Sequence, residues 1–159
     1  MEKYRIENEW ELWFHSIKDT KWDKQSYRKI YTIKNYLDFS ILDNIFKQNH
    51  YQNGMFFIMK SGIFPNWEDP ENRLGGCLSF KIISTNVINC WNDILLKCIS
   101  GNIMKESNNK INGLSISPKK EFNIIKVWFS DKEINYKEKF IEYSDLNINN
   151  SLYKAHSIN

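Results

Sequence analysis

Six short runs rich in β-branched and aromatic residues, at 9–15, 28–33, 55–59, 77–83, 112–117 and 124–129, constrain this chain more than any other feature. Such residues fit a pleated, half-buried surface. Antiparallel neighbours tolerate the short connections seen here, whereas parallel ones need long crossovers, so a mostly antiparallel sheet is expected. Between the runs lie two stripes at helical spacing. From 34 to 48, Leu37, Ile41, Leu42, Ile45 and Phe46 recur on one face, and beyond the capping candidates Ser84, Thr85 and Asn86 come Val87, Trp91, Ile94, Leu95, Cys98 and Ile99. Gly101 closes the second stripe as a C-terminal cap. Ser130 and Glu133 have capping-box spacing, and Ile134, Phe140 and Ile141 suggest a third, shorter helix. The class is α+β, with about three helices on one face of the sheet.

A chain of 159 residues suits one domain, 1–159, with 1–8 as a short N-terminal tail. The 42% hydrophobic fraction supports a packed core, and a net charge of +3 is too mild for an extended duplex-binding surface, so DNA is not an expected partner. Three cysteines without a C-x-x-C pair argue against a disulfide framework and a zinc site, and point to a reducing compartment. No N-terminal signal and no apolar run of spanning length is present, so the expected location is cytoplasmic, off the membrane. The Asn-rich stretch 102–112 reads as a surface loop.

The chemistry centres on two tryptophans. Trp22 has only polar neighbours in Asp19-Thr20-Lys21-Trp22-Asp23-Lys24, and is either a loop indole folded back on the core or an exposed ring. Trp67 lies between Pro65 and Pro70, which forbid a regular helix or central strand, so it too sits on a loop. Two loop indoles facing each other would accept a flat, electron-poor ring, and a methylated guanine is one. Glu68, alone, reads as an exposed turn carboxylate; beside Trp67 it becomes a candidate acceptor for a base edge. Trp10, Trp13 and Trp91 sit in apolar stripes and are assigned to packing. His15, His50 and His156 lack ligand spacing and are read as structural or exposed, so no metal or other cofactor is expected. No catalytic grouping emerges from the spacing, and the chain is read as a binding protein and not an enzyme.

The string Trp10-Glu11-Leu12-Trp13-Phe14, then Trp22, then Ser61-Gly62-Ile63-Phe64-Pro65-Asn66-Trp67-Glu68-Asp69-Pro70-Glu71-Asn72-Arg73-Leu74-Gly75-Gly76, resembles the signature of the translation initiation factor 4E family. The likeness runs on through Trp91 and Ile124-Ile125-Lys126-Val127-Trp128. It implies a curved antiparallel sheet backed by three helices, with the 7-methylguanosine cap of messenger RNA held on the concave side. By resemblance, Trp22 and Trp67 are the stacking pair, Glu68 reads the guanine, and Trp128 lies near the methyl group. The phosphate contacts match less well. Cys77 stands where the family usually has Arg, a second basic position falls on Lys119, a further family lysine aligns with Ile124, and Lys120 or Lys126 is a candidate substitute.

On the opposite surface the family presents a Trp to a Tyr-x-x-x-x-Leu-φ motif of scaffold or repressor proteins. Here Ser40 takes that place, Asn92 the matching position of the second helix, and Tyr36 and Leu96 remain as apolar surface. The resemblance implies capped messenger RNA as ligand and translation initiation as the process, with a divergent initiation factor 4G-like scaffold as partner. The alternative is a repressor or decoy without the usual scaffold contact. Abundant Asn, Ile and Lys read as the codon bias of an AT-rich genome, such as that of a protist or large DNA virus.

Overall fold

The computed structural model describes residues 5–45, 52–104, 110–131 and 150–156. In chain order these form β1 (Arg5–Ser16), β2 (Tyr27–Asn35), α1 (Tyr36–Ile45), β3 (Gly54–Lys60), β4 (Gly76–Ile83), α2 (Val87–Ile99), β5 (Ile111–Pro118), β6 (Phe122–Phe129) and β7 (Leu152–Ala155). The strands make one seven-stranded sheet in the order β2-β1-β3-β5-β6-β4-β7. Every described pairing is antiparallel, so the α+β class and the sheet agree with the sequence reading. The helix count does not: two α-helices, not three, occur among the described residues. The expected third helix, with Ile134, Phe140 and Ile141, lies outside them, as does Phe46 of the first stripe. β1 begins at Arg5 and buries Ile6, within the stretch expected to be a tail.

Strand alternation sorts the side chains onto two faces. Leu12, Ile58, Leu114, Val127 and Leu78 form one layer across five strands, and α2 packs its stripe of Val87, Trp91, Ile94, Leu95, Cys98 and Ile99 on it. Leu42 of α1 and Trp10 join the same core. The opposite face, which neither described helix covers, carries a smaller cluster of Phe57, Met59, Ile63, Cys77 and Trp128, flanked by Trp13, Tyr27 and Met55. That open face positions the candidate site.

The rotation of α1 differs from the expected stripe. Asn35 Oδ1 accepts the Asp38 amide at 3.0 Å, and Asp38 in turn accepts from the Tyr31 hydroxyl at 2.9 Å and the Lys34 amide at 2.7 Å. These bonds tie the first turn to β2. The helix therefore lays Tyr36, Phe39 and Leu42 on the core and leaves Leu37 and Ile41 exposed at 44% and 43%. In α2, Asn86 makes no side-chain capping bond, because a 3-10 turn at Ser84–Asn86 leads directly into the helix. The C-terminal end is as expected: the amides of Gly101 and Asn102 close on Cys98 and Lys97 carbonyls at 3.2 and 2.7 Å. The Asn-rich stretch is less superficial than its composition suggested, since Ile103, Met104, Ile111 and Asn112 are buried.

Candidate functional site

Two loops rise from the open face. The first follows β1, where Asp19 accepts the Lys21 amide at 2.9 Å and Asp23 caps the Lys24–Ser26 turn through the Ser26 amide at 3.0 Å. Trp22 lies between these fixed points and is 54% exposed. One side of its indole lies flat on the His15 imidazole, with ring centroids 3.6 Å apart and planes 3° from parallel. His15 itself is only 1% exposed, with Nε2 at 2.7 Å from the Lys21 carbonyl and Nδ1 at 3.0 Å from that of Ser16. His15 thus covers one side of the Trp22 indole.

The second loop, 61–75, is built on two buried or half-buried side chains. Asn72, wholly buried, donates from Nδ2 to the carbonyls of Phe64 at 3.1 Å and Asn66 at 2.8 Å, and its Oδ1 accepts from Asn112 Nδ2 at 2.9 Å. Asp69 accepts the amides of Phe64 and Glu71, each at 2.9 Å. Asp69 thus shapes the loop, whereas Trp67 and Glu68 stand at its tip, both exposed. Among the described residues Glu68 makes no hydrogen bond and no ion pair. The loop starts at Gly62, whose φ of 90° suits glycine alone, and Glu11 fixes it by accepting the Gly62 amide at 2.9 Å while paired with Lys29 at 2.7 Å. It ends at Gly75-Gly76, where an added Cβ would collide with the Phe129 and Lys154 carbonyls. The paired glycines therefore serve close strand packing.

Tyr27 bridges the two loops. Its ring meets Trp22 edge-on at 6.0 Å and Phe64 at 5.0 Å, and its pKa is pushed up to about 12 by burial and then by the Glu68 charge. Tyr27 thus touches Trp22 and feels the charge of Glu68, the chain neighbour of Trp67. Trp128 lies in the floor, 7% exposed, with its indole N–H donated to Ser115 Oγ at 3.0 Å.

The lysines separate. Lys126 pairs across the sheet with Ser79 and Ser115 and lies on the face of Trp128, two residues along β6. Lys119 and Lys120 sit exposed in the β5–β6 turn, beyond Phe122, so about 20 Å of strand separates them from Trp128. Lys154 was not anticipated: it pairs with Cys77, directly beside Trp128, on this same face. The signal was its place one residue before Ala155 in a strand too short to be noticed. Cys77 is buried, its thiol pushed up to about 12 by desolvation despite nearby Lys126, so it is an inert packing group.

His156, read from the sequence as structural or exposed, packs beside Cys77 and Trp128. It lies 3.5 Å from Cys77 Sγ through Nε2, and its ring centroid is 5.1 Å from that of Trp128. Burial, and then the Lys126 charge, push its pKa down to about 4. The unfolded chain therefore takes up this proton first, and the stability contribution, complete above about pH 6.5, declines as pH falls toward about 4. Melting temperature should fall less steeply across that window in His156→Gln than in the parent; equal slopes would mean that the ring is not held neutral.

On the helix face, Ser40 is exposed with its hydroxyl donated to the Leu37 carbonyl at 2.7 Å, Tyr36 packs partly on the core, Asn92 is half-buried and Leu96 is 40% exposed.

A single antiparallel sheet carries both described helices on one face, and its loops present the exposed Trp22, Trp67 and Glu68. The sequence pattern described as Eukaryotic initiation factor 4E matches residues 5–157, and the chain belongs to that family. It is 31% identical over 134 residues to the eukaryotic translation initiation factor isoform 4E of Nicotiana tabacum, covering 79% of this chain and 64% of the relative. Against eukaryotic translation initiation factor 4E of Aplysia californica the identity is 25% over 137 residues, covering 82% and 63%. The chain thus spans just under two thirds of the length of these relatives. Among solved structures, C. elegans eIF4E-3 in complex with the 4E-binding protein Mextli and cap analog aligns with a TM-score of 0.80 at 19% identity, over 96% of this chain and 92% of that one. Ascaris suum eIF4E-3 with m7G cap aligns with a TM-score of 0.71 at 18% identity, over 82% and 75%.

Proposed function

We propose that this chain binds the 7-methylguanosine cap of messenger RNA and recruits capped RNA for translation initiation in the cytoplasm. What supports this reading is that Trp22, Trp67 and Glu68 are all exposed on loops, with Tyr27 touching Trp22 and feeling the Glu68 charge. Methylation at N7 leaves a positive charge on the base, so each indole adds a cation–π attraction that plain guanine lacks. Each stack contributes about 1–3 kcal/mol, and the Glu68 carboxylate adds about 1.5–3 by accepting from the base edge. Trp128 lines the floor toward the methyl group. Incubation with capped and uncapped RNA tests the reading: capped RNA is retained and recovered unchanged, whereas a cleaved product would contradict it.

Lys126, with Lys154 beside Trp128, takes the cap phosphates in place of the cation missing at Cys77. Lys119 and Lys120, at the far hairpin, serve RNA beyond the cap. Lys126→Ala with Lys154→Ala should weaken cap triphosphate by about tenfold while sparing the methylated nucleoside, since only the former carries the charge being neutralised. Lys119→Ala with Lys120→Ala should weaken capped RNA alone. A filter-binding series decides this, and equal losses for nucleoside and triphosphate would remove the lysines from the phosphate site.

The partner on the helix face is a divergent 4G-like scaffold. Ser40 supplies no indole, Tyr36 is drawn toward the core and Asn92 gives little apolar contact, while Leu37, Ile41 and Leu96 offer an apolar surface of different outline. Loss of a Trp hot spot removes about 2 kcal/mol or more. In calorimetry a standard Tyr-x-x-x-x-Leu-φ peptide should bind more weakly than micromolar, improving with Ser40→Trp and Asn92→Leu; sub-micromolar binding by the parent would overturn this. The serine at position 40 also favours a second reading, a cap-binding repressor or decoy that holds RNA without a scaffold.

A further inference from the structure

Phe64 belongs to the loop that carries Trp67, yet the groups that close on its ring come from β1 and from the loop of Trp22. Tyr27, where that first loop enters β2, meets the ring edge-on with centroids 5.0 Å apart and planes at 70°. Trp13 of β1 meets it edge-on at 5.1 Å and 62°, and the Lys24 ammonium, from the short turn just after Trp22, stands 5.5 Å from the ring centre. Edge-on rings and a cation over a ring face are both attractive arrangements of the aromatic quadrupole. The Phe64 backbone is held by its own loop instead. Asp69 accepts its amide at 2.9 Å, and its carbonyl accepts from the Asn66 amide at 2.8 Å and from Asn72 Nδ2 at 3.1 Å. On the other side Tyr27 touches Trp22 edge-on at 6.0 Å, and Trp22 lies flat on His15. A run of ring contacts from His15 through Trp22 and Tyr27 to Phe64 therefore joins one tryptophan loop to the frame of the other.

We infer that Tyr27 and Phe64 form a clasp between the two tryptophan loops, so that Phe64 is a positioning residue for Trp22 and Tyr27 is one for Trp67. Each acts on the indole of the other loop. Trp22 and Trp67 are 54% and 50% exposed, so neither is fixed by burial, and the place of each follows from its loop. Two loops that moved independently would each have to be ordered when a flat ligand entered. Loops tied to each other are ordered together before it arrives, and the ordering cost of binding falls accordingly. Tyr27 and Phe64 are only half-buried and lie outside the core beneath the helices, so the clasp serves the loops more than the fold. The inference rests on the cap reading only for what the loops are used for, and the ligand-free protein tests it without that reading.

The test reads each indole in the variant of the opposite loop, because lost local packing would disturb only the loop that carries the substitution. Nitrogen-15 relaxation of the indole N–H groups in the ligand-free protein, assigned with Trp22→Phe and Trp67→Phe, gives an order parameter for each tryptophan. Phe64→Leu should loosen Trp22 and Tyr27→Leu should loosen Trp67, each order parameter falling by about 0.2 from the parent value. Tyr27→Phe keeps the ring and should leave both indoles as they are in the parent. An opposite indole that stays at its parent value in either folded leucine variant would overturn the inference. Should a leucine variant fail to fold, Lys24→Gln, at an exposed position, removes one contact to Phe64 and should shift the Trp67 indole signal; an unmoved signal there would overturn it equally. If 7-methylguanosine triphosphate binds, Phe64→Leu should bind it about three- to tenfold more weakly. If no cap analogue binds the parent while each leucine variant still loosens the opposite indole, the cap reading fails and the clasp stands.

Discussion

Replacing Trp67 with alanine should lower affinity for 7-methylguanosine triphosphate by at least about tenfold and leave thermal unfolding almost unchanged. Half of this residue is exposed, and it stands at the tip of a loop whose shape is set by Asn72 and Asp69. Little packing is therefore lost with the indole, while a stack worth about 1–3 kcal/mol disappears. Trp22→Ala should cost a similar factor in binding, with a larger effect on stability, because it uncovers the buried His15 ring. Binding by Trp67→Ala equal to the parent, in a folded protein, would remove Trp67 from the site.

Asn72→Ala should act in the opposite sense, damaging stability first and binding through it. The side chain is wholly buried, and its loss leaves the Phe64 and Asn66 carbonyls and the Asn112 amide without these partners. The Phe64 carbonyl keeps the Asn66 amide and the Asn112 amide keeps the Glu71 carbonyl, each at 2.8 Å, so the loss is partial, and about 2–3 kcal/mol is expected. For a domain of this size each kcal/mol lowers the melting temperature by about 2–4 °C, giving a fall of about 4–12 °C. Cap affinity should fall with it, because the loop carrying Trp67 and Glu68 loses its internal frame. Calorimetric melting checks this; a melting temperature within about 2 °C of the parent would mean that water replaces the amide without strain.

The strands were legible because their signal is local: alternation and β-branched content placed six of them to within a few residues. β7 was not, since Leu152–Ala155 has four residues and exists through pairing with the edge of β4. The expected face of α1 was wrong because the apolar pattern admits two rotations, and Asp38 with Tyr31 and Lys34 chooses between them. The exposure of Trp22, Trp67 and Glu68 was legible from their polar and proline-rich surroundings. Asn72 and Asn112 carry no comparable mark; an asparagine buried as a loop frame looks in sequence like one in a solvated turn. Alternation could have done more for the open face, because Lys126 shares the parity of Trp128 on one strand, and His15 that of Glu11 and Trp13 on another. The assignment of Lys119 followed the family pattern, whereas its distance from Trp128 is a property of the hairpin.

The central claim is that a positively charged, methylated guanine is held between Trp22 and Trp67. Tryptophan-fluorescence titration of the parent protein with 7-methylguanosine triphosphate and with unmethylated guanosine triphosphate tests it most directly. Cation–π stacking in a desolvated slot contributes about 2 kcal/mol or more, so the methylated nucleotide should bind at least about thirtyfold more tightly and quench the emission on binding. Equal affinity for the two nucleotides, or no quenching by either, would contradict it.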